Sequence, residues 1–400
     1  MFAFNYILLA LSGIWPPEGL PPALLGVYVV LSTVAHAFFF YSCGAYTVGF
    51  LNCDDVDLAM GAACDVLVVY LTCYKIFVLL KNKRVINGLV YSLRHELNVS
   101  YAPLQRACRD HEEAVNNLAS KVTGRYYLVL LSVDATYIFM YFRAELRGQV
   151  RIPMWDPFGA RVSTGLPFLL YSCVPVSAAL MSGIHTTVFD TMILTFSLLL
   201  GAKIDNLTRL LVTLEEDTGP RPAAEVRAER QRRLREAVII HQKIIRFVDN
   251  LERALSSLSL AQLMESLATI CLQGYRLTAA PPSMDEGIPM INFLLWLLLQ
   301  LWILCWSGEN IATKSKHLAV VAARSHWADA GHAFHVNMQM LMLRAQRPLA
   351  LTGFKMVRLN YSTYVDIVKN SYSLYTCMLR MQSKNRSEKP NRSPEMSELP

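Results

Sequence analysis

Charge is what this chain has least of. Asp, Glu, Lys and Arg make up 17% of its 400 residues, where a soluble domain carries about a quarter. That scarcity excludes an intrinsically disordered chain and a charged coiled coil. Glycine and proline are also few, at 19 and 18, which excludes a collagen-like repeat. Cysteine is sparse and odd in number, nine in all, so a small disulfide scaffold is excluded. Enzyme signatures are missing: there is no His-Glu-x-x-His, no Gly-x-Ser-x-Gly and no phosphate loop. No enzyme activity and no cofactor are expected. No basic stretch interleaves with aromatics, so no nucleic-acid partner is expected either. A cleavable signal is not expected: residues 1–14 are apolar but lack a basic n-region and a small-residue site before Trp15-Pro16-Pro17. They read as a short interfacial or re-entrant helix.

What is present in excess is apolar surface. Residues of the AVILMFWYC set make up 53% of the chain, and the mean hydropathy is +0.30. The apolar residues come in runs. No charged side chain occurs for 35 residues between Glu18 and Asp54, for 28 between Arg161 and Asp190, or for 22 between Glu286 and Glu309. A bilayer-spanning helix needs about 20. Weaker runs bring the expected spans to seven: 22–50, 57–80, 124–146, 164–200, 254–276, 287–311 and 358–380. The fold class is thus an all-α polytopic membrane protein in a lipid bilayer.

Orientation follows from the placement of Lys and Arg. With alternate connections assigned to opposite sides, the N-terminal side holds 26 basic residues and the other side 10. The N-terminus is therefore cytosolic and, with seven spans, the C-terminus is outside. A rhodopsin-like G-protein-coupled receptor has the reverse orientation. The net charge of +7 is a topology signal.

The polar segments organise the rest. Residues 81–125 and 203–253 read as helices continuing into the cytosol and packing as a helical anchor bundle, the latter with a joint at Asp217-Thr218-Gly219-Pro220. The expected division is 1–312 for spans one to six with a ligand cavity, 313–357 for a cytosolic anchor segment, 358–382 for a pore-lining last span and 383–400 for a disordered extracellular tail.

Candidate chemistry is thin. His332 and His335 stand at i,i+3, but no Cys or acid completes a metal set. Cys53 and Cys173 could both approach the outer surface, which leaves a disulfide open. Asp65, Lys75, Asp134, Glu265, Asp366 and Lys369 fall inside spans. Each costs about 2.5–3.5 kcal/mol at a bilayer centre unless paired or facing water. In the last span, Ser362, Asp366, Lys369 or Asn370, Ser373, Thr376 or Cys377, and Arg380 recur at steps of three and four. That is a polar stripe along one helix, and it must face protein or water. Such helices around an axis make an aqueous pore; a seam against neighbouring helices is the other outcome. The outer halves of the middle spans carry apolar and aromatic groups suited to a small hydrophobic ligand. They are Met60, Cys64 and Leu67 on span two, and Asp134, Tyr137 and Tyr141 on span three. Phe168, Tyr171 and Val176 lie on span four, and Phe293, Trp296 and Leu297 on span six.

Several motifs resemble the insect odorant receptor family. They are Gly308-Glu309-Asn310-Ile311, Ser325-His326-Trp327, Arg344-Ala345-Gln346-Arg347-Pro348-Leu349 and Gly353-Phe354. Tyr364, Lys369 and Ser371-Tyr372-Ser373-Leu374-Tyr375-Thr376 continue the pattern, with Gly13-Ile14-Trp15-Pro16 and Trp155-Asp156-Pro157 upstream. The resemblance implies a plasma-membrane subunit of a ligand-gated, non-selective cation channel in sensory-neuron dendrites, opened by a small volatile. Four subunits would surround a pore formed by the last span, in a heterotetramer with an odorant receptor co-receptor. The family's co-receptor has a long insertion in its second cytosolic loop. This chain has about 50 residues there, as expected of a tuning subunit. The pore residues that follow are Asp366, Asn370, Ser373, Cys377, Arg380 and Met381, with Arg380 a departure from the family's lining. A gustatory-type receptor channel is the nearest alternative. It would show Thr-Tyr-apolar-Gln-Phe where Thr363-Tyr364-Val365-Asp366-Ile367 stands.

Overall fold

The computed structural model describes residues 3–17, 19–147, 154–155, 166–214, 222–279, 284–325 and 331–388. A short helix α1 (Ala3–Leu11) precedes α2 (Pro22–Leu51), α3 (Val56–Lys81) and α4 (Lys83–Tyr91). One π-helical turn, Ser92–Glu96, follows α4. Four long helices come next: α5 (Ala102–Leu146), α6 (Leu166–Val212), α7 (Ala223–Ala279) and α8 (Met284–Arg324). Then come α9 (His332–Ala345), a hairpin of β1 (Thr352–Gly353) and β2 (Val357–Arg358), and α10 (Tyr361–Glu388).

Five of the expected spans fall inside α2, α3, α5, α7 and α8, while α6 and α10 begin two and three residues after the starts expected at 164 and 358 and contain the rest of those spans. Among the described residues, five helices are long and apolar enough to cross a membrane by composition alone: α2, α3, α6, α7 and α8. The other two, α5 and α10, carry their charge in polar extensions or on one face. The single 57-residue α7 joins the second half of the polar segment to the fifth span without a break. The expected joint at 217–220 lies outside the described residues. The last helix runs on to Glu388, so the boundary expected at 383 falls within a helix. Residues 389–400 lie outside the description.

The bundle is built around α6. In its most apolar stretch 94% of residues are buried, against 6% in α2. It packs against α1, α2, α3, α5, α7 and α8. The charge-free run of α6 before Asp190 suits a helix surrounded by protein, and Lys203 and Asp205 beyond it are paired, because every face must be apolar or paired. On α2, Leu24, Val27, Val30, Leu31 and Val34 stand exposed. Such a row is at home only against lipid. Pro22 opens α2 at a position where the missing N–H costs nothing. The α1 helix docks on α5 and α6 through buried Leu8 and Leu9, with Trp15 beneath the Lys83 ammonium at 4.5 Å.

On the cytosolic side, α9 packs on α7 and α8. Charges there are paired across helices: Lys203 with Glu112 at 2.6 Å and Lys314 with Asp205. Arg233 donates to the Thr213 carbonyl at 2.7 Å and lies over the Tyr101 ring. The hairpin leans on α7, where a Cβ on Gly353 would stand 3.2 Å from the Leu260 Cα. Its turn holds Phe354 and Lys355 at φ of 51° and 60°, the left-handed region that few side chains favour. Asn360 caps α10, its Oδ1 accepting the Thr363 N–H at 2.9 Å.

The disulfide left open between Cys53 and Cys173 does not form. Both thiols are free, as are the other seven. Cys53 Sγ instead meets the Asp55 carbonyl.

Candidate functional site

Five helices line a partly open cavity of about 70 Å³ in the outer half of the bundle. Tyr46 of α2, Asp65, Val68 and Val69 of α3, and Phe293 and Trp296 of α8 form part of its wall. From α5 come Leu130, Val133, Asp134 and Tyr137, and from α6 Ala178, Ala179, Ser182 and Gly183. The α5 and α6 residues each recur at three and four, so each set covers one helix face. The space exists because α6 presents only small side chains there. Phe293 and Trp296 stack with ring centres 5.8 Å apart and close the side toward α8. The backbone N–H of Trp155 donates to the Ala45 carbonyl at 3.0 Å, one residue before Tyr46.

Four of the twelve residues expected to form a ligand site reach this wall: Asp134, Tyr137, Phe293 and Trp296. Met60, Cys64 and Leu67 do not. The α3 helix is rotated by one position, so Asp65 and Val68 face inward while Cys64 turns to Gln273 and Arg276 of α7. Tyr171 and Val176 lie nearer the start of α6 than its lining residues, and Phe168 has no described side chain. Tyr141 is packed in the core at 1% exposure. Leu297 joins the apolar cluster with Tyr126 and Leu130 behind Trp296. Tyr46, Ser182 and Gly183 also line it from outside the expected set, and Asp65 does so as one of the charges inside spans. A run of small residues at helical spacing, Ala178-Ala179 and Ser182-Gly183, was the available signal.

The intramembrane charges separate into two groups. Asp65 and Asp134 line the cavity. Lys75 is fully buried, its ammonium 5.3 Å from the Phe189 ring centre and within electrostatic reach of Asp190 and Glu265. Tyr126 donates to Asp190 Oδ2 at 2.7 Å. These groups couple α3, α5, α6 and α7 in the middle of the bundle.

The last helix has two faces. Thr363, Ile367 and Ser371 are buried. Ser371 Oγ donates to the Leu267 carbonyl of α7 at 3.0 Å, and Tyr375 packs on Gly274. The rest of the helix is open in the single chain: Asp366, Lys369, Asn370, Ser373, Cys377, Arg380 and Met381 are exposed, flanked by exposed Val365, Tyr372 and Leu374. Thr376 is half-buried. The polar stripe is therefore not used up inside its own protomer.

The motif residues brace this arrangement. Asn310 Nδ2 donates to Ser197 Oγ at 3.0 Å and to the Ser197 carbonyl at 3.1 Å. Ser197 Oγ in turn donates to the Ser307 carbonyl at 2.7 Å, which locks α6 to α8. Ser315 Oγ accepts the Leu349 N–H at 3.1 Å. His326 and Trp327 lie outside the described residues.

Comparison with known proteins agrees with this architecture. The chain is 23% identical to odorant receptor 82a of Drosophila melanogaster over 81% of this chain and 85% of that one. It is 22% identical to odorant receptor 13a of the same organism over 94% of both. Its match to odorant receptor 85c, at 27% identity, spans 40% of that protein. The structure of the insect olfactory receptor OR5 from Machilis hrabei in complex with eugenol superposes with a TM-score of 0.78 at 18% identity, covering 94% of this chain and 97% of that one. A family model described as 7tm Odorant receptor matches residues 55–372. This multi-pass membrane chain therefore belongs to the odorant receptor family, which is a receptor family and not an enzyme family.

Proposed function

We propose that the chain is a tuning subunit of a ligand-gated, non-selective cation channel in the plasma membrane of a sensory neuron. Its partner is an odorant receptor co-receptor, in a heterotetramer whose pore is lined by α10. The observation that carries this reading is the split of α10 into a face held by α7 and an exposed polar face. In a bilayer such a face needs water or protein, and one such helix per subunit around an axis supplies a wet pathway. Asp366, Asn370, Ser373, Cys377, Arg380 and Met381 are the residues assigned to it.

A small volatile binds in the five-helix cavity. It favours the open state by its difference in affinity between the two states. The α7 helix joins the buried charge group to α10: Glu265 lies within electrostatic reach of Lys75 on α3, and Leu267, two residues on, accepts the bond from Ser371. Movement of α3 at the cavity would reach α10 through that group and α7. Contact with the walls is largely apolar, so ligands differing by one methylene are separated by about 1–3 kcal/mol.

The test is current recording with the co-receptor, in a Cys377→Ser background. Ser373→Cys should become sensitive to a cationic thiol reagent in open channels, and Val368→Cys, which packs inward, should not. An unmodified current at Ser373→Cys would remove the pore assignment.

A further inference from the structure

The cavity is apolar in most of its wall, yet two carboxyl groups face it. Asp134 and Asp65 line it together with the rings of Tyr46, Tyr137, Phe293 and Trp296. Among the described residues, no Lys, Arg or His lines it. Asp65 is engaged with the surrounding protein. Asp134 is only 9% exposed, lies against the Gly183 backbone, and has no hydrogen-bond or ion-pair partner among the described residues. Ser182 Oγ, on the neighbouring helix turn, is also buried without a partner.

A buried carboxyl without a partner is costly in a bilayer, and an apolar ligand would leave that cost in place. We infer that the cavity selects a small volatile amine, held by Asp134 through its nitrogen and by the aromatic rings through its cationic or alkyl part. The inference rests on the cavity being the ligand site. A basic nitrogen and a carboxyl form one hydrogen-bonded pair with the same atoms and the same net charge, whichever of the two holds the proton. An ammonium has several N–H donors, so Asp134 and Ser182 Oγ can be satisfied together. The ring faces add cation–π attraction. An alcohol offers a single donor, and an ester or ether offers none. The size of the space sets a second limit. At roughly 10–15 Å³ for each water-sized position, the cavity of about 70 Å³ admits a short chain before the rings must move.

The experiment compares n-butylamine, 1-butanol and methyl propyl ether on the receptor co-expressed with the co-receptor. These ligands have the same number of heavy atoms and differ in hydrogen-bond donors. The wild type should respond to the amine at about tenfold lower concentration than to the ether, with the alcohol between. In Asp134→Asn that ratio should fall to near one. Equal potency of amine and ether on the wild type would overturn the inference, even if the variant fails to reach the surface. So would a ratio that persists in Asp134→Asn. Trp296→Ala separates the two levels of the claim. If it leaves every response unchanged, the cavity is not the ligand site; if it alters responses while the wild type ignores the nitrogen, only the amine assignment fails.

Discussion

Gly183 and Asp134 meet across the α5–α6 interface so closely that a methyl group on Gly183 would stand 2.5 Å from Asp134 Oδ2. The carboxyl occupies the place where any other residue would put its Cβ. A glycine on α6 thus determines where a carboxyl on α5 can stand. Gly183→Ala should push the Asp134 carboxyl aside, which a flexible side chain can do at low cost to folding, about 1 kcal/mol. The amine-to-ether potency ratio should drop severalfold while surface expression stays near wild type. Dose–response curves alongside surface labelling check both; a ratio unchanged in a well-expressed variant would contradict this role.

Gly308 makes a closer approach with a less forgiving neighbour. A Cβ there would collide with the Leu359 backbone carbonyl and lie 2.6 Å from the Leu359 Cβ. Backbone cannot swing away as a carboxyl can. Gly308→Ala should separate α8 from the segment leading into α10 and cost about 1–3 kcal/mol. A lowered thermal midpoint of the purified receptor is the readout, with Gly44→Ala, which has open space around it, as the control.

Lys75 is fully buried near Asp190 and Glu265. Lys75→Met removes the cation and leaves two buried carboxyls, at a cost of about 3–5 kcal/mol. Neutralising the acids as well, in Lys75→Met with Asp190→Asn and Glu265→Gln, should recover much of that loss. Surface expression and thermal stability of the single and triple variants decide it. A triple variant worse than Lys75→Met would mean that the acids have other partners.

Arg380 is exposed near the outer end of α10. Facing the proposed pore, its positive charge opposes cation entry. Arg380→Gln should raise inward cation current about threefold at low ionic strength, with a smaller gain in high salt. Equal currents at both salt concentrations would place Arg380 away from the conduction path.

Much of the bundle is readable along the chain. The charge-free runs locate α2, α6 and α8, and the Lys/Arg asymmetry orients them. The stripe from Ser362 to Arg380 was visible as a period of three to four, and the exposed face of α10 follows it. The cavity was less legible. Asp134, Tyr137, Phe293 and Trp296 stand among the residues expected to form a ligand site, Asp65 stands out only as a charge inside a span, and Tyr46, Ser182 and Gly183 stand in neither set. Gly308 and Asn310 were visible as a motif, but nothing in it showed that they act as a close contact and a cross-link.

What the sequence determined by itself is one-dimensional: how long each apolar run is, which end carries the basic residues, and which residues share a face of one helix. Those follow from bilayer thickness and from 3.6 residues per turn. Which face each helix turns to which neighbour was decided only by packing. A shift of one residue rotates a helix face by about 100°, and on α3 that shift exchanged Cys64 and Leu67 for Asp65 and Val68. The rotation is set by the fit of five helices around small residues on α6, so no single segment contains it.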